Sequence, residues 1–567
     1  MQHFCRSAAA TFVLLTVFSP FLGAQEPQSP KVLPSASPTP STAKESGPTE
    51  KKEEFQTAPP VVTEHQIGLP NGKILRYKAV TGYLLLRDHG PEPRLEDESA
   101  AGPPAPSTPA SEPKEKGQAE VDPAKGKPKA QVFFVAYLAD DGSDPATRPV
   151  TFAFNGGPGS ASVWLHMGAF GPKRVLLSPR GEALPAPAKL VENESTWLDR
   201  TDLVFIDPVS TGYSRPAPGE NPRQFHGYRE DVQNVGDFIR QWITHYDRWT
   251  SPKLIAGESY GTTRAAGLSN YLQDRYGLYL NGIVLISTAL NFQALDFSAG
   301  NDVPYPLFLP TYAATAWYHH RLSPEFQQKP IKDLLAETER FAANDYTLAL
   351  HQGDALPPAD RDRTAAKLAQ LTGLEAPELG RKSLRETDEA FVVDLLMAKN
   401  RVVGRLDSRY TGIRPNPGQN RPEFDPADEA VNGPFTSGFY QYLRRELKYD
   451  TDLPYETGAD VSPWLFSVDR YLDVANDLKK AMSKNRYLKV LVCCGYYDLA
   501  TPYAAAEYVL HGMNLDPAIQ GNLRFAFYES GHMLYLEENA RRKFKADFEE
   551  LLNSVQNAPL APTADPD

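Results

Sequence analysis

The sequence predicts an α/β fold: a mostly parallel sheet with helices on both faces, interrupted by a large helical insertion. Three observations carry this. Short apolar runs recur at Val150–Phe154, Leu203–Asp207, Leu254–Ala256, Gly282–Ser287, Lys489–Cys494 and Phe525–Tyr528. Several lack polar alternation, which suits strands covered on both faces. Amphipathic stretches separate them, as in Tyr228–Trp249, where Val232, Val235, Phe238, Ile239, Trp242 and Tyr246 share one stripe. That alternation is a βαβ rhythm. It stops between about Leu295 and Arg486, where the chain is helical in pattern and rich in proline and charge, and resumes at "LKVLVCCG". An insertion that caps the sheet is the economical reading.

The chain has 567 residues, of which 41% are hydrophobic and 11% aromatic, enough for a large buried core. A net charge of −12 argues against a nucleic-acid or anionic-membrane partner. Residues 1–24 read as a secretory signal peptide, with Arg6, an apolar stretch and the small-residue site Leu22-Gly23-Ala24. Pro20 and the short apolar run disfavour a membrane anchor, and no later segment is long and apolar enough for integral membrane association. Residues 25–60 form a Pro-rich linker expected to be disordered, and a similar loop at about 96–129 separates two strands, Ile74–Arg87 and Gln131–Leu138. The core is expected over 61–294 and 487–553, the cap over 295–486, and a disordered tail over 554–567. Cys5 lies in the leader, while Cys493 and Cys494 are neighbours and are expected as buried thiols.

The chemistry centres on "LIAGESYGTTR". Gly257-Glu258-Ser259-Tyr260-Gly261 joins an apolar strand to a helical stretch. This G-x-S-x-G pattern is a nucleophile elbow, in which a serine sits in a strained turn beneath small neighbours. It points to an α/β-hydrolase fold. In that fold the acid and then the base follow the serine in sequence. In "VLVCCGYYDLATP" a buried strand ends with Asp498 on the following loop, and His532 lies in "YESGHMLY" after the last strand. Asp207 also follows a strand but precedes the serine, and His511 ends a helical stretch before Gly512. The expected triad is Ser259, Asp498 and His532. The glycines of "FAFNGGPGSAS" and the amide of Tyr260 would supply an oxyanion hole.

Taken together these segments resemble the serine carboxypeptidases, the S10 peptidases. The resemblance rests on Asn155-Gly156-Gly157-Pro158-Gly159, Gly257-Glu258-Ser259-Tyr260-Gly261, Gly495-Tyr496-Tyr497-Asp498 and Gly531-His532-Met533, in that order, within residues 130–553. With the leader, it implies an exported bacterial member, periplasmic or secreted. It assigns the oxyanion amides to Gly157 and Tyr260, and binding of the substrate's terminal carboxylate to Asn155 and Glu258. Two carboxyl groups face each other comfortably only if one is protonated, so hydrolysis is expected to favour acidic pH. Three positions depart from the family pattern: Ala153 stands for a Trp, Ala169 for a Glu and Ser160 for a Cys. The implied partners are peptide substrates. Alternative readings are an esterase or acyltransferase with the same triad, and a catalytically inactive binding protein. No metal or cofactor is expected: His319 and His320 are adjacent, and no H-E-x-x-H or paired C-x-x-C occurs. Oligomeric state is not legible.

Overall fold

A computed structural model describes residues 57–88, 126–467 and 471–557. The expected leader, most of the linker, most of the 96–129 loop and the last ten residues of the tail lie outside them. The main strands, in chain order, are β1 (Val61–Gly68), β2 (Ile74–Arg87), β3 (Pro128–Ala139), β4 (Val150–Phe154), β5 (Asp202–Ile206), β6 (Lys253–Glu258), β7 (Gly282–Ile286), β8 (Lys489–Gly495) and β9 (Leu523–Tyr528). They form one sheet in the order β1-β2-β3-β5-β4-β6-β7-β8-β9, with the short strand Arg215–Pro216 beside β3. The strands β1, β2 and β3 pair antiparallel, as do β3 and β5. From β5 to β9 every pairing is parallel.

Both faces of the parallel part are covered, which is why its strands read as unbroken apolar runs. Phe152, Ile255, Ile283, Leu285, Val490 and Val492 face one core, while Ala153, Leu254, Val284, Ile286 and Leu491 face the other. The helices α1 (Tyr228–His245) and α2 (Tyr260–Tyr276) bury their stripes in the first core. The helix α1 stops at His245 rather than at Trp249: Asp247 takes φ 53° and Arg248 N donates back to Ile243 O, after which the Arg248 side chain pairs with Asp202. Cys493 and Cys494 are buried free thiols on opposite faces of β8.

Several boundaries differ from expectation. Residues 128–129 belong to β3, where Ala130 pairs with Pro216, rather than to the loop. The last helix, Glu538–Gln556, runs into the expected tail, with Val555 packed near Gly282. The region expected as one cap also divides. Helices Pro304–Tyr318 (α3), Ile331–Phe341 (α4) and Pro358–Thr372 (α5) join the first core. Pro426–Arg445 (α6) instead packs on the opposite face, through Val431, Phe435, Phe439 and Tyr442. Ala475–Lys484 (α7) is a helix of the sheet layer: Gln273 of α2 donates to Ala481 O at 3.2 Å. Strand β1 pairs along the sheet edge with β2, and its alternating "VVTEHQIG" leaves every second residue exposed.

Candidate active site

The C-terminal ends of β4, β6, β8 and β9 carry the expected site residues. In open α/β sheets this is the end at which ligands bind. After β6 the chain turns sharply through Ser259, whose backbone sits at φ 60°, ψ −130° before α2 begins. A non-glycine residue in the left-handed region stores strain that its surroundings must hold. The flanking glycines are sterically required: a Cβ on Gly257 would lie 2.2 Å from Gly261 O. The loop after β4 presses against this turn, since a Cβ on Gly156 would meet Tyr260 N at 2.5 Å. Among the described residues, no protein acceptor takes the Gly157 or Tyr260 amide. Both amides are therefore without a protein acceptor, and that of Tyr260 lies at the positive end of α2.

A buried ion pair ties the two loops together. Arg264 Nε donates to Asp231 Oδ2 at 2.8 Å, and its Nη1 donates to Asn155 O at 2.7 Å. The guanidinium also lies over the rings of Phe154 and Tyr260. Asn155 is oriented from behind: Leu165 N donates to its Oδ1 at 3.1 Å, which turns Nδ2 toward Glu258 Oε1, 2.9 Å away. Glu258 Oε2 is buried without a hydrogen-bond partner. Burial raises the Glu258 pKa to about 7, against partial relief from His532 and Asn155. The neutral acid is therefore the prevailing form below about pH 7.

On the other side, Asp498 is fully buried. Its Oδ1 accepts from Ala500 N and Thr501 N at 2.8 and 2.9 Å. Its Oδ2 accepts from Thr501 Oγ1 at 2.6 Å and from His532 Nδ1 at 2.8 Å. Burial alone would lower the His532 pKa, but the Asp498 carboxylate outweighs it, and Glu258 adds to the rise. The His532 ring bonds through Nδ1, and Nε2 has no protein partner among the described residues. No hydrogen bond joins the Ser259 hydroxyl to the ring. The link between them runs through the backbone: Ser259 N donates to Ile286 O at 2.9 Å, and Ser287 Oγ donates to His532 O at 2.6 Å.

The rival residues lie elsewhere. Asp207 accepts from Ser162 N, Ser162 Oγ and Tyr455 Oη, and its pKa is raised to about 6 by burial. It has no bond to His532. His511 closes its helix against Phe525. His319 bonds Ser408 O, and among the described residues no cluster could hold a metal. Two contributors escaped the sequence reading. The buried Tyr535 hydroxyl interacts electrostatically with Glu258 without meeting hydrogen-bond geometry. Its ring fills the space beside Gly168, where a Cβ would lie 2.6 Å from Cε2. The second contributor is the segment Arg405–Arg409, which touches the loops of both Asp498 and His532. Only the closeness of Tyr535 to His532 in sequence hinted at the first, and nothing hinted at the second.

The topology and the elbow define an α/β-hydrolase fold. Comparison with known proteins refines the class. The serine carboxypeptidase family, peptidase family S10, matches residues 107–345. The chain is 25% identical over 234 residues to serine carboxypeptidase-like 46 of Arabidopsis thaliana, covering 38% of this chain and 48% of that protein. It is 28% identical over 137 residues to the pheromone-processing carboxypeptidase KEX1 of Saccharomyces cerevisiae, covering 23% of this chain and 18% of that one. The chain thus spans about half or less of the length of these curated relatives. Among solved structures, the prohormone-processing carboxypeptidase KEX1(delta)p of Saccharomyces cerevisiae aligns at 14% identity and TM-score 0.47, covering 84% of this chain and 91% of that one. The sequence matches, each over less than half of the chain, are to serine carboxypeptidases.

Proposed function

We propose that the chain is a serine-type carboxypeptidase that releases C-terminal residues from peptides through an acyl-enzyme. The observation that carries this is the buried Asn155–Glu258 pair beside Ser259, with Glu258 titrating near 7. A terminal carboxylate arriving there meets an amide and a neutral acid rather than an anion.

In this reading Ser259 Oγ attacks the carbonyl of the last peptide bond, and His532 takes its proton. Asp498 holds the imidazole through Nδ1 and stabilises the imidazolium. The Gly157 and Tyr260 amides receive the oxyanion. His532 then protonates the departing amine, and water releases the acyl group. Catalytic hydrogen bonds are often long before substrate binds, so the absent Ser259–His532 bond is compatible with this role. Affinity is expected to fall as pH rises through about 7 and Glu258 ionises. The acidic limb of turnover follows His532, so the two limbs oppose each other. The division into core and insertion (295–486) belongs to this reading, with α7 packed on α2 of the core and the core's second part reaching Gln556. Export rests on the N-terminal leader alone. The relatives named above are plant and yeast proteins.

The test pairs blocked dipeptides bearing free and amidated C-termini, with fluorophosphonate labelling of Ser259. Expected are strong preference for the free acid, one-residue losses from peptide C-termini, and no labelling of Ser259→Ala. Equal turnover of the free and amidated dipeptides would favour the esterase or acyltransferase reading, to which Ala153 and Ala169 lend weight. Absence of labelling in the natural chain would favour a binding protein.

A further inference from the structure

The loops of Asp498 and His532 are held by a segment that bears no motif and lies outside the main sheet. We propose that Asp407 and Arg409 are positioning residues that fix the His532 loop so that its imidazole meets Asp498. The inference rests on the acid–base roles proposed above.

The segment Arg405–Arg409 lies between the paired strands Arg401–Val403 and Thr411–Ile413. Its backbone grips both loops. Leu499 N donates to Arg405 O at 3.0 Å, Ser408 N to Tyr497 O at 2.9 Å, and His532 N to Leu406 O at 2.7 Å. The flanks of Asp498 and the amide of His532 are thus bonded to three residues of this five-residue segment.

The side chains complete the grip. Asp407 Oδ2 accepts from Gly531 N at 3.1 Å. A Cβ on Gly531 would lie 2.4 Å from the Asp407 Cβ, so this contact requires glycine before His532. Arg409 pairs with Asp407 through Nε and Nη2, at 2.9 and 2.6 Å. Its Nη1 donates to Glu529 O at 2.7 Å, and its Nη2 reaches Ser530 Oγ at 3.2 Å. The three residues before His532 are each bonded by this one pair. The same guanidinium lies over the ring of Tyr497, next to Asp498.

The grip has a backstop. Ser408 Oγ lies 2.6 Å from Thr315 Oγ1, and His319 Nε2 lies 2.6 Å from Ser408 O, both on or next to α3. A planar guanidinium fork with fixed donor directions sets a loop more tightly than an ammonium can. Catalytic geometry needs support of that kind, because a displacement of about 1 Å can cost on the order of a hundredfold in rate.

The test measures the His532 imidazole directly, by NMR titration of the full chain carrying Arg409→Gln or Arg409→Lys, alongside melting temperature and kinetics. The groups acting on that imidazole are Asp498, Glu258 and Arg405. A loosened loop weakens the Asp498 contact. Arg409→Gln is expected to lower the His532 pKa by about one pH unit and kcat by about tenfold, with KM little changed. Arg409→Lys is expected to recover part of both. Asp407→Asn, which keeps the main-chain bonds of Arg405, Leu406 and Ser408 but can accept from only one of Gly531 N and Arg409 N, reads the same quantity should Arg409→Gln fail to fold. A lower melting temperature with an unmoved His532 titration would mean ordinary structural support and overturn the proposal. A moved titration in a chain that hydrolyses no peptide would support the clamp and sink the proposed function. An unmoved titration in an active enzyme would sink the clamp alone.

Discussion

Two carboxyl groups lie buried at opposite ends of the same sheet, Asp202 at 3% exposure and Glu258 at 4%, yet their surroundings differ sharply. Asp202 opens β5. Arg148 Nε donates to its Oδ1 at 2.8 Å, Arg248 Nη1 to its Oδ2 at 2.6 Å, and Ala139 N to its Oδ1 at 2.9 Å. The two guanidiniums are themselves bonded onward, to Leu198 O and Arg148 O. Glu258 closes β6 with one amide donor and one oxygen that has none. Equal burial therefore produces two outcomes. A satisfied carboxylate fastens the bottom of the sheet, while an unsatisfied one remains poised to exchange a proton at the top. Partner count, rather than depth, separates the structural group from the reactive one.

The largest expected effect falls on the satisfied group. Asp202→Asn leaves the buried Arg248 guanidinium without its counter-ion, leaves Arg148 with Asp141 alone, and turns an amide donor toward them. Breaking such a buried network is expected to remove about 3–5 kcal/mol of stability. Denaturant unfolding checks the loss, and kcat/KM per folded molecule should stay near that of the natural chain. A cost no larger than that of a surface substitution would break the contrast.

Glu258→Gln should behave in the opposite way. The folded pKa of Glu258, about 7, lies above its ordinary value of 4.5, so folding favours the neutral acid. That contribution is whole below about pH 4.5 and is lost as pH climbs through 7. Each pH unit separating the folded from the unfolded pKa corresponds to about 1.4 kcal/mol. A glutamine, neutral at every pH, is thus expected to stabilise the chain by about 3 kcal/mol at pH 8 and to change little at pH 4. Melting curves at the two pH values measure this. In the same variant, affinity for a free-carboxylate peptide should lose its fall above pH 7. A parallel fall in both proteins would remove Glu258 from substrate binding.

How much of this was legible beforehand follows from the range of the forces involved. The nucleophile half is local. Gly257 and Gly261 make room within five residues, and the strand before them is apolar because both faces are covered. A sequence states such things directly. Asp498 and His532 were readable because each follows a buried strand in a fixed order. The Asp407–Arg409 unit was not, since it acts on residues more than a hundred positions away and has no periodicity to mark it. Helix α6 lay within a region legible as helical, but its place on the far face was not legible, because a helical pattern does not say which surface it covers. Strand β1 hid for another reason: at an exposed edge, "VVTEHQIG" alternates with polar residues and lacks the continuous apolar run that marked the central strands.

The smallest expected effect tests the poise of Glu258 itself. The Tyr535 ring occupies the space above Gly168, and a phenylalanine would keep that packing. What Tyr535→Phe removes is a buried hydroxyl that lacks a hydrogen-bond partner, so stability should change by less than about 1 kcal/mol in either direction. The hydroxyl favours the ionised form of Glu258, and its loss should push the Glu258 pKa further up. The pH at which peptide affinity falls should then move upward by roughly a few tenths of a pH unit, well under the displacement that burial itself produces. Binding measured from pH 5 to 9 reads the change. A downward displacement would show that the hydroxyl stabilises the neutral acid, as a hydrogen-bond acceptor from its proton. An unchanged midpoint with weaker binding at pH 5 would instead place Tyr535 in contact with the peptide, and the contrast with Asp202 would then involve a third group at the top of the sheet.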